Sequence, residues 1–584
     1  MTARPRFGPL LTDTGVTFRL WAPAARAVSV VLDKPHDMAK NGDWFELYIP
    51  GVKAGARYKF RIDDEVEIAD PASQFQPDDV QGASEIIGHR YDWQVRDWKG
   101  LPWEQAVILE THVGTFTPQG TFNAMIDRLG HLVETGITAL ELMPLADFPG
   151  RWNWGYDGVL LYAPDSSYGR PEDLKALIDA AHGRGLMVFL DVVYNHFGPA
   201  GNYLGRIAPP FFSDAHTPWG GAINYAQAEV RAFAIDNALH WLRDYRFDGL
   251  RLDAVHAIAT PGEPHVLTDI SNAAGELAAE TGRHIHLVLE NDDNIASLLA
   301  PGEDPPGGHY RAQWNDDYHH AWHDLLTGET SGYYSDYKNA SAHVARTLAE
   351  GFAYQGEPSS HRNGVLRGEP SSRLPRAAFV NFLQNHDQIG NRPHGERLSA
   401  LAKPEAVQAA LAVLLLQPSP PLLFMGEEWG ATEAFPFFCD FSGELAQAVR
   451  DGRKREFAAA YAKHGDAIPD PIAKETRDSA VLNWEVRNAP PHAAHLSLTR
   501  ELLTARKQYI IPLLPAMQGK GEVSLSGGLL QASWPAGSKT LLILANLSDE
   551  AHARPEALTW GDSIWGDTPP DDLPPWSVYA AIGT

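Results

Sequence analysis

Apolar and polar positions along the chain fall into three successive patterns. From residue 1 to about 88 the apolar residues come in short runs, Val16–Trp21, Ala27–Leu32, Trp44–Ile49 and Tyr58–Ile62. The runs are rich in Val, Phe and Tyr and are parted by Gly, Pro and Asp, which predicts a small all-β sandwich. Asp70–Gly82 reads as a linker that packs on its neighbour.

Over 89–470 short apolar runs alternate with stretches of three- and four-residue apolar spacing. The runs predict strands at Ala106–Gly114, Ile137–Pro144, Leu186–His196, the start of Phe247–Ile258, His284–Asn291, Arg311–Asp316, Ala377–Asp387 and Pro420–Gly430. Between them the spacing predicts helices at Phe122–Gly136, with Gly136 as C-cap, and at Pro171–Gly185, Gln227–Tyr245 and Glu405–Gln417. A short insert, 197–225, follows the third strand. Eight strands alternating with helices point to an α/β fold, a (β/α)₈ barrel. An open doubly wound sheet is disfavoured, because no Gly-rich phosphate turn follows the first strand. Over 471–584 a helix, Ala494–Lys507, accompanies strands at Ser479–Trp484, Glu522–Ser526, Leu529–Trp534, Thr540–Leu547 and Trp576–Ala581, which predicts a C-terminal β domain.

Composition narrows the partners. A length of 584 residues exceeds one core, so several domains are expected. The formal net charge of −26 repels phosphate backbones, which argues against a nucleic-acid partner and leaves a small neutral substrate as the better fit. One cysteine, Cys439, excludes an internal disulfide and any multi-cysteine metal site. No leader-like apolar region opens the chain and no apolar run reaches spanning length, so a soluble cytoplasmic protein without a membrane partner is expected.

Candidate chemistry sits where the strands end. Phe247–Ile258, FDGLRLDAVHAI, opens apolar and closes on Arg251, Asp253 and His256. Arg251 and Asp253 are two apart and leave a strand on the same side. A guanidinium beside a carboxylate favours the anion, the form a carboxylate nucleophile needs. A buried ion pair with no chemistry would explain this segment alone. It does not explain why the third strand ends in Asp191, Asn195 and His196, the fifth in Glu290, and the seventh in His386 and Asp387. Polar groups cost burial energy unless they are paired or used, and in a barrel these ends share one rim. Three carboxylates with imidazoles, and no serine elbow or cysteine ligands, suit glycoside chemistry, which needs one carboxylate to attack and one carboxylic acid to protonate the leaving oxygen. Glu290 follows the wholly apolar Leu287–Leu289, and desolvation raises such a carboxyl toward an acid's role. No cofactor and no required metal are expected.

These residues carry a resemblance. DVVYNH (191–196), GLRLDAVH (249–256), the strand ending at Glu290 and FLQNHD (382–387) stand in order and intact, and the chain resembles the α-amylase superfamily of retaining glycoside hydrolases. The resemblance implies that Asp253 is the nucleophile, Glu290 the general acid/base and Asp387 the transition-state stabiliser. It implies that His196 and His386 bond sugar hydroxyls, that Arg251 orients Asp253 with support from Asp191, and that Tyr156 in WGYDGV (154–159) stacks under the sugar at the cleavage point. The segment 15–32 is similar to the β-sandwich ahead of the barrel in branching enzymes, isoamylases and trehalohydrolases. VYNHFGPAGNYL (193–204), LENDDN (289–294), LLTGETSGYYSDY (325–337) and NHDQIGNRPHGERL (385–398) look most like the trehalohydrolases that act on maltooligosyltrehalose. That likeness implies hydrolysis of the α-1,4 bond beside a terminal trehalose. A glycogen branching enzyme is the alternative, although His386–Asp387–Gln388 departs from its usual His-Asp-Glu. An inactive glucan-binding relative is disfavoured by the three intact carboxylates. Phe352, Tyr354 and Gln355, in the Gly- and Pro-rich segment between the sixth and seventh strands, and Asn291 and Asp292, beside the acid, are the candidates for reading trehalose, together with His256 for substrate contact.

Overall fold

The computed structural model describes residues 6–88, 90–217, 220–258, 265–299, 310–517, 519–556 and 559–583. The N-terminal segment forms two facing sheets. One orders Leu10–Thr12, Gly15–Trp21, Trp44–Pro50 and Ala39–Asn41, and the other orders Pro35–Asp37, Val28–Val31, Arg57–Ile62 and Val66–Ile68. Alternation decides which faces meet: Val16, Phe18 and Leu20 point inward from one sheet, and Tyr58, Phe60 and Ile62 from the other, all buried. Phe18 and Tyr58 touch edge-on at 4.9 Å across the gap. The linker packs as expected, with Ala72, Phe75 and Val80 buried and the Tyr58 hydroxyl donating to Asp70 at 2.7 Å.

The middle of the chain is a closed parallel barrel. Its strands are 1 (Ile108–Thr111), 2 (Ala139–Leu142), 3 (Met187–Val192), 4 (Gly249–Leu252), 5 (His286–Leu289), 6 (Ala312–Trp314), 7 (Phe379–Val380) and 8 (Leu422–Phe424). Strands 1 to 7 pair in sequence order, each with the next, and strand 8 pairs with strand 1. Asn381, just past strand 7, bridges Pro421, just before strand 8, and completes the ring. Strand 4 begins with a glycine because a Cβ there would lie 2.5 Å from the carbonyl oxygen of His286 on strand 5. The predicted helix Phe122–Gly136 is split into Phe122–Ile126 and Leu129–Thr135, and Gly136 caps it at φ 102° as expected.

Two expectations are corrected. Ser479–Trp484 is not a strand: a helix, Lys474–Ser479, runs into it, and its groups bond the loop after strand 1, the Leu482 N–H donating to Thr115 O at 3.0 Å and the Trp484 indole N–H to Phe116 O at 2.5 Å. The helix assigned to the C-terminal β domain, observed at His492–Ala505, borders the strand Asp562–Trp565 but packs chiefly between the barrel helices Leu129–Thr135 and Pro404–Leu416. It takes the place of the barrel's eighth helix, beyond the boundary drawn at 470. Just after it, the buried Arg506 donates to the carbonyls of Leu415 (3.1 Å), Gln417 (2.5 Å), Pro418 (3.1 Å) and Ser419 (2.8 Å). One guanidinium thereby satisfies the frayed end of the helix before strand 8. The C-terminal sheet then orders Glu522–Ser526, Leu529–Ala536, Lys539–Asn546, Ser577–Gly583 and Asp562–Trp565, antiparallel throughout.

Candidate active site

Strands 4 and 5 stop one residue short of the two candidate carboxylates, so both turn onto the barrel's C-terminal rim. Strand 4 ends at Leu252, and Asp253 follows it; strand 5 ends at Leu289, and Glu290 follows it. Ala254 adopts a left-handed conformation, φ 41°, and its N–H donates to Glu290 Oε2 at 2.5 Å. Strand 7 is shorter than predicted because Asn385 caps a short helix, His386–Gly390, its Oδ1 accepting the N–H of Asp387 at 2.9 Å. The cap sets His386 and Asp387 on the first turn of that helix.

Arg251 is the hub. It is fully buried on strand 4, with its guanidinium 4.1 Å over the Trp314 ring. Its Nη1 donates to Asp191 Oδ2 at 2.7 Å and to Asp253 Oδ1 at 2.8 Å, and its Nη2 lies 3.7 Å from Glu290 Oε2. The Tyr156 hydroxyl also donates to Asp191 Oδ2, at 2.6 Å. Burial raises Asp191 to about 7 against the pull of Arg251. With a guanidinium and a phenol both donating to one oxygen, the anion is the form this geometry holds. Burial also raises Glu290 to about 7; Arg251 opposes the shift, and the Asp253 and Asp387 charges add to it.

His386 is held differently. Burial alone would lower its pKa, but Glu110 and Asp387 outweigh it and hold His386 up at about 9. Glu110, on strand 1, bonds the ring through Nδ1 and accepts the His386 N–H at 3.1 Å. The Tyr156 ring stacks on the His386 ring at 5.0 Å. His196 is buried with its ring nitrogens 2.8 Å from Asn195 Oδ1 and 2.9 Å from the Tyr156 carbonyl, and burial lowers its pKa.

A cavity of about 500 Å³ opens over this cluster. Tyr156, His196, Asp253, His256, Glu290, Asp292, His386 and Asp387 all line it, while Asp191 and Arg251 lie beneath and orient its floor. Four of the residues proposed to read trehalose do not reach it. Phe352 is fully buried, edge-on to Phe379 at 5.0 Å. Tyr354 is buried, donates its hydroxyl to Asp336 O at 2.8 Å and has Arg367 over its ring. The Gln355 amide is spent on Glu350 and the Phe352 carbonyl, and its Oε1 accepts the Ser371 N–H. Asn291 is buried and accepts the Asp293 N–H at 3.0 Å, closing its own turn. Only Asp292 stays in the wall, gripped by Arg362 (2.5 Å) and Arg367 (2.9 Å), which lower its pKa to about 2 against burial. Beside it the wall is built from His320, Tyr333, Asp336, Tyr337 and His361.

Glu110 carries a similar signal in the sequence, a polar residue directly after the apolar run AVIL, although it lies inside strand 1 and not past its end. His319 and His323 stand one helical turn apart on Asp316–Thr327, a spacing that can hold an ion. Both are spent within the protein: His319 contacts the Leu383 carbonyl (2.5 Å) and the Tyr334 hydroxyl (2.9 Å), and His323 contacts Glu329 (2.8 Å). Among the described residues no three His, Cys, Asp or Glu side chains converge in a way that could hold an ion. Activity is therefore expected to survive EDTA, and loss on chelation with recovery on adding calcium would contradict this.

The fold and the carboxylate rim define an α-amylase-type glycoside hydrolase. The alpha amylase catalytic-domain family matches residues 74–207, carbohydrate-binding module 48 (isoamylase N-terminal domain) matches 6–73, and a domain family of unknown function matches 518–579. The chain is 42% identical to the malto-oligosyltrehalose trehalohydrolase of Deinococcus radiodurans over 561 residues, 94% of this chain and 91% of the relative. A crystal structure of a candidate alpha amylase from Salmonella typhimurium superposes with a TM-score of 0.94 at 44% identity, covering 100% of both chains. A 1,4-alpha-glucan branching enzyme of Leifsonia xyli is 37% identical over 270 residues only, 41% of this chain and 37% of the relative. The chain belongs to the malto-oligosyltrehalose trehalohydrolase family.

Proposed function

We propose that the chain hydrolyses the α-1,4-glucosidic bond next to the terminal trehalose unit of maltooligosyltrehalose, releasing trehalose and a maltooligosaccharide. The observation that carries the reading is one guanidinium, Arg251, in contact with two carboxylates in the floor of a cavity whose whole chain matches a trehalohydrolase over 94% of its length. Asp253 attacks the anomeric carbon while Glu290, carrying a proton, delivers it to the oxygen of the departing trehalose. Glu290 then takes a proton from the water that releases the maltooligosaccharide from Asp253. Asp387 faces the positive charge that develops on the sugar ring. His386, cationic at neutral pH, and His196 bond hydroxyls of that ring over Tyr156. The trehalose unit sits against the wall of Asp292, Arg362, Tyr333 and Tyr337. The same composition supports a cytoplasmic enzyme: its one thiol, Cys439, is buried and forms no disulfide. Among the described residues no helix is long and apolar enough to cross a membrane.

The test compares maltotriosyltrehalose with maltopentaose. Trehalose release with a clear kcat/KM preference for the first substrate is expected, with α-maltotriose as the first-formed anomer by NMR. Equal rates on both substrates, a β-anomer, or new α-1,6 branches on amylose would reject the reading.

A further inference from the structure

A second groove, of about 350 Å³, lies between the helix His492–Ala505 and the C-terminal strand Asp562–Trp565, and it shares no lining residue with the catalytic cavity. Two half-buried aromatic rings, Tyr509 and Trp565, face it among Ser497, Arg500, Glu501 and Gln508. We propose that this groove is a second binding site for an α-glucan chain, remote from catalysis.

Two local irregularities build the groove. After Ala505 the helix widens into a π-type turn, Arg506–Ile510, which carries Gln508 and Tyr509. The strand across from it shifts register between Ser563 and Trp565 against Ser577–Gly583, a bulge placed at the tryptophan. Each irregularity gives up regular hydrogen bonding, and such turns and bulges recur where a side chain must be re-aimed. The π turn is also firmly seated, since Arg506 at its start is buried against four carbonyls. Tyr509 therefore starts from an ordered position, which lowers the entropy cost of binding.

The chemistry matches a sugar chain. A pyranose presents an apolar face of C–H groups, which a ring can cover, and a rim of hydroxyls that both donate and accept. Arg500 supplies donors, and its Nε is enclosed without a partner. Glu501 supplies acceptors, already polarised by the Ser497 hydroxyl at 2.9 Å, and Gln508 supplies both. Arg500 is already paired with Glu134 at 3.4 Å, and a cation so countered favours a neutral ligand over an anion. An α-glucan is the neutral sugar chain that the proposed activity brings to this protein, and to that extent the choice of occupant rests on that activity.

The experiment titrates maltoheptaose into the full chain carrying Asp253→Asn, which stops turnover, and into the same chain with Trp565→Ala, Tyr509→Ala or Gln508→Ala added. Calorimetry should resolve two classes of site, and Trp565→Ala should weaken one of them about tenfold while leaving the other unchanged. With Asp253 intact, Trp565→Ala should keep kcat/KM for maltotriosyltrehalose within about twofold, which also shows that the variant folds. If Trp565→Ala does not fold, Tyr509→Ala and Gln508→Ala decide by the same readout. A single class of site, or one isotherm shared by all variants, overturns the proposal. If trehalose release fails while Trp565-dependent binding of maltoheptaose persists, the active-site reading falls and the groove stands.

Discussion

Asp253→Asn is expected to lower kcat/KM for maltotriosyltrehalose by at least about 10⁴-fold, about 5 kcal/mol of transition-state stabilisation. The reason lies in what the amide keeps and what it loses. Asn carries an oxygen where Asp253 Oδ1 accepts from Arg251 Nη1 at 2.8 Å, so that bond can persist. The side chain lines the cavity and is not part of the core, so the substitution should leave the fold intact. What goes is the anion proposed to attack and depart, and an amide cannot form or release a glycosyl ester at a useful rate. The neighbouring carboxylates have other places in the proposed reaction: Glu290 sits on the leaving-group side, Asp387 faces the developing charge, and Asp191 is bonded to both Arg251 and Tyr156. Retention of a tenth of the wild-type rate, with an unchanged melting temperature, would show that Asp253 is not the nucleophile.

The floor of this site was legible in the sequence because a parallel strand ties position to place. A buried parallel strand is largely apolar, so polar residues cluster in its last positions and just past its end, toward the rim. Asp253 after Leu252 and Glu290 after Leu289 obey that rule, whereas Glu110 lies inside strand 1, opposite Glu141, and Arg251 inside strand 4. The walls lack such a signal. Phe352 and Tyr354 stand in a loop whose Gly and Pro content marks it as a loop but says nothing about which ring faces inward. Phe352 meets Phe379, and Tyr354 packs under Arg367, because the segment folds back on strand 7 and on the arginines that grip Asp292. Two rings that do reach the cavity wall, Tyr333 and Tyr337, come from a 3₁₀ segment, Gly332–Tyr337, whose short period does not register as a helix in the apolar pattern.

The same distinction explains the eighth barrel helix. Apolar spacing located the helix now seen at His492–Ala505 to within two residues. It could not say which neighbours the helix would meet, since long excursions over the barrel rim separate it from strand 8. Contact with Leu129–Thr135 and Pro404–Leu416 is a tertiary fact, and local pattern is blind to it.

Glu290→Gln is expected to lower kcat/KM for maltotriosyltrehalose by roughly 10³-fold, the scale of a lost general acid. It should also erase one limb of the pH profile. Burial, reinforced by the Asp253 and Asp387 charges and opposed by Arg251, raises Glu290 to about 7. The acid must enter the reaction protonated, so wild-type kcat/KM should hold below about 7 and fall as pH rises through it. A glutamine has no proton to lose there, and its residual rate should be flat across the same window. His386, held at about 9, would add its own limb two units higher, and that limb should survive the substitution. The leaving group gives an independent check. Trehalose departs poorly without a proton on its bridging oxygen, whereas fluoride departs with little help. Maltotriosyl fluoride should therefore restore the first step in Glu290→Gln, while the second step, which needs Glu290 as base toward water, stays slow. The glycosyl group should then accumulate on Asp253 and be visible as a mass increment on the intact protein. A pH limb near 7 that persists in the variant, or a first step that loses as much with fluoride as with trehalose, would mean that Glu290 is not the proton donor.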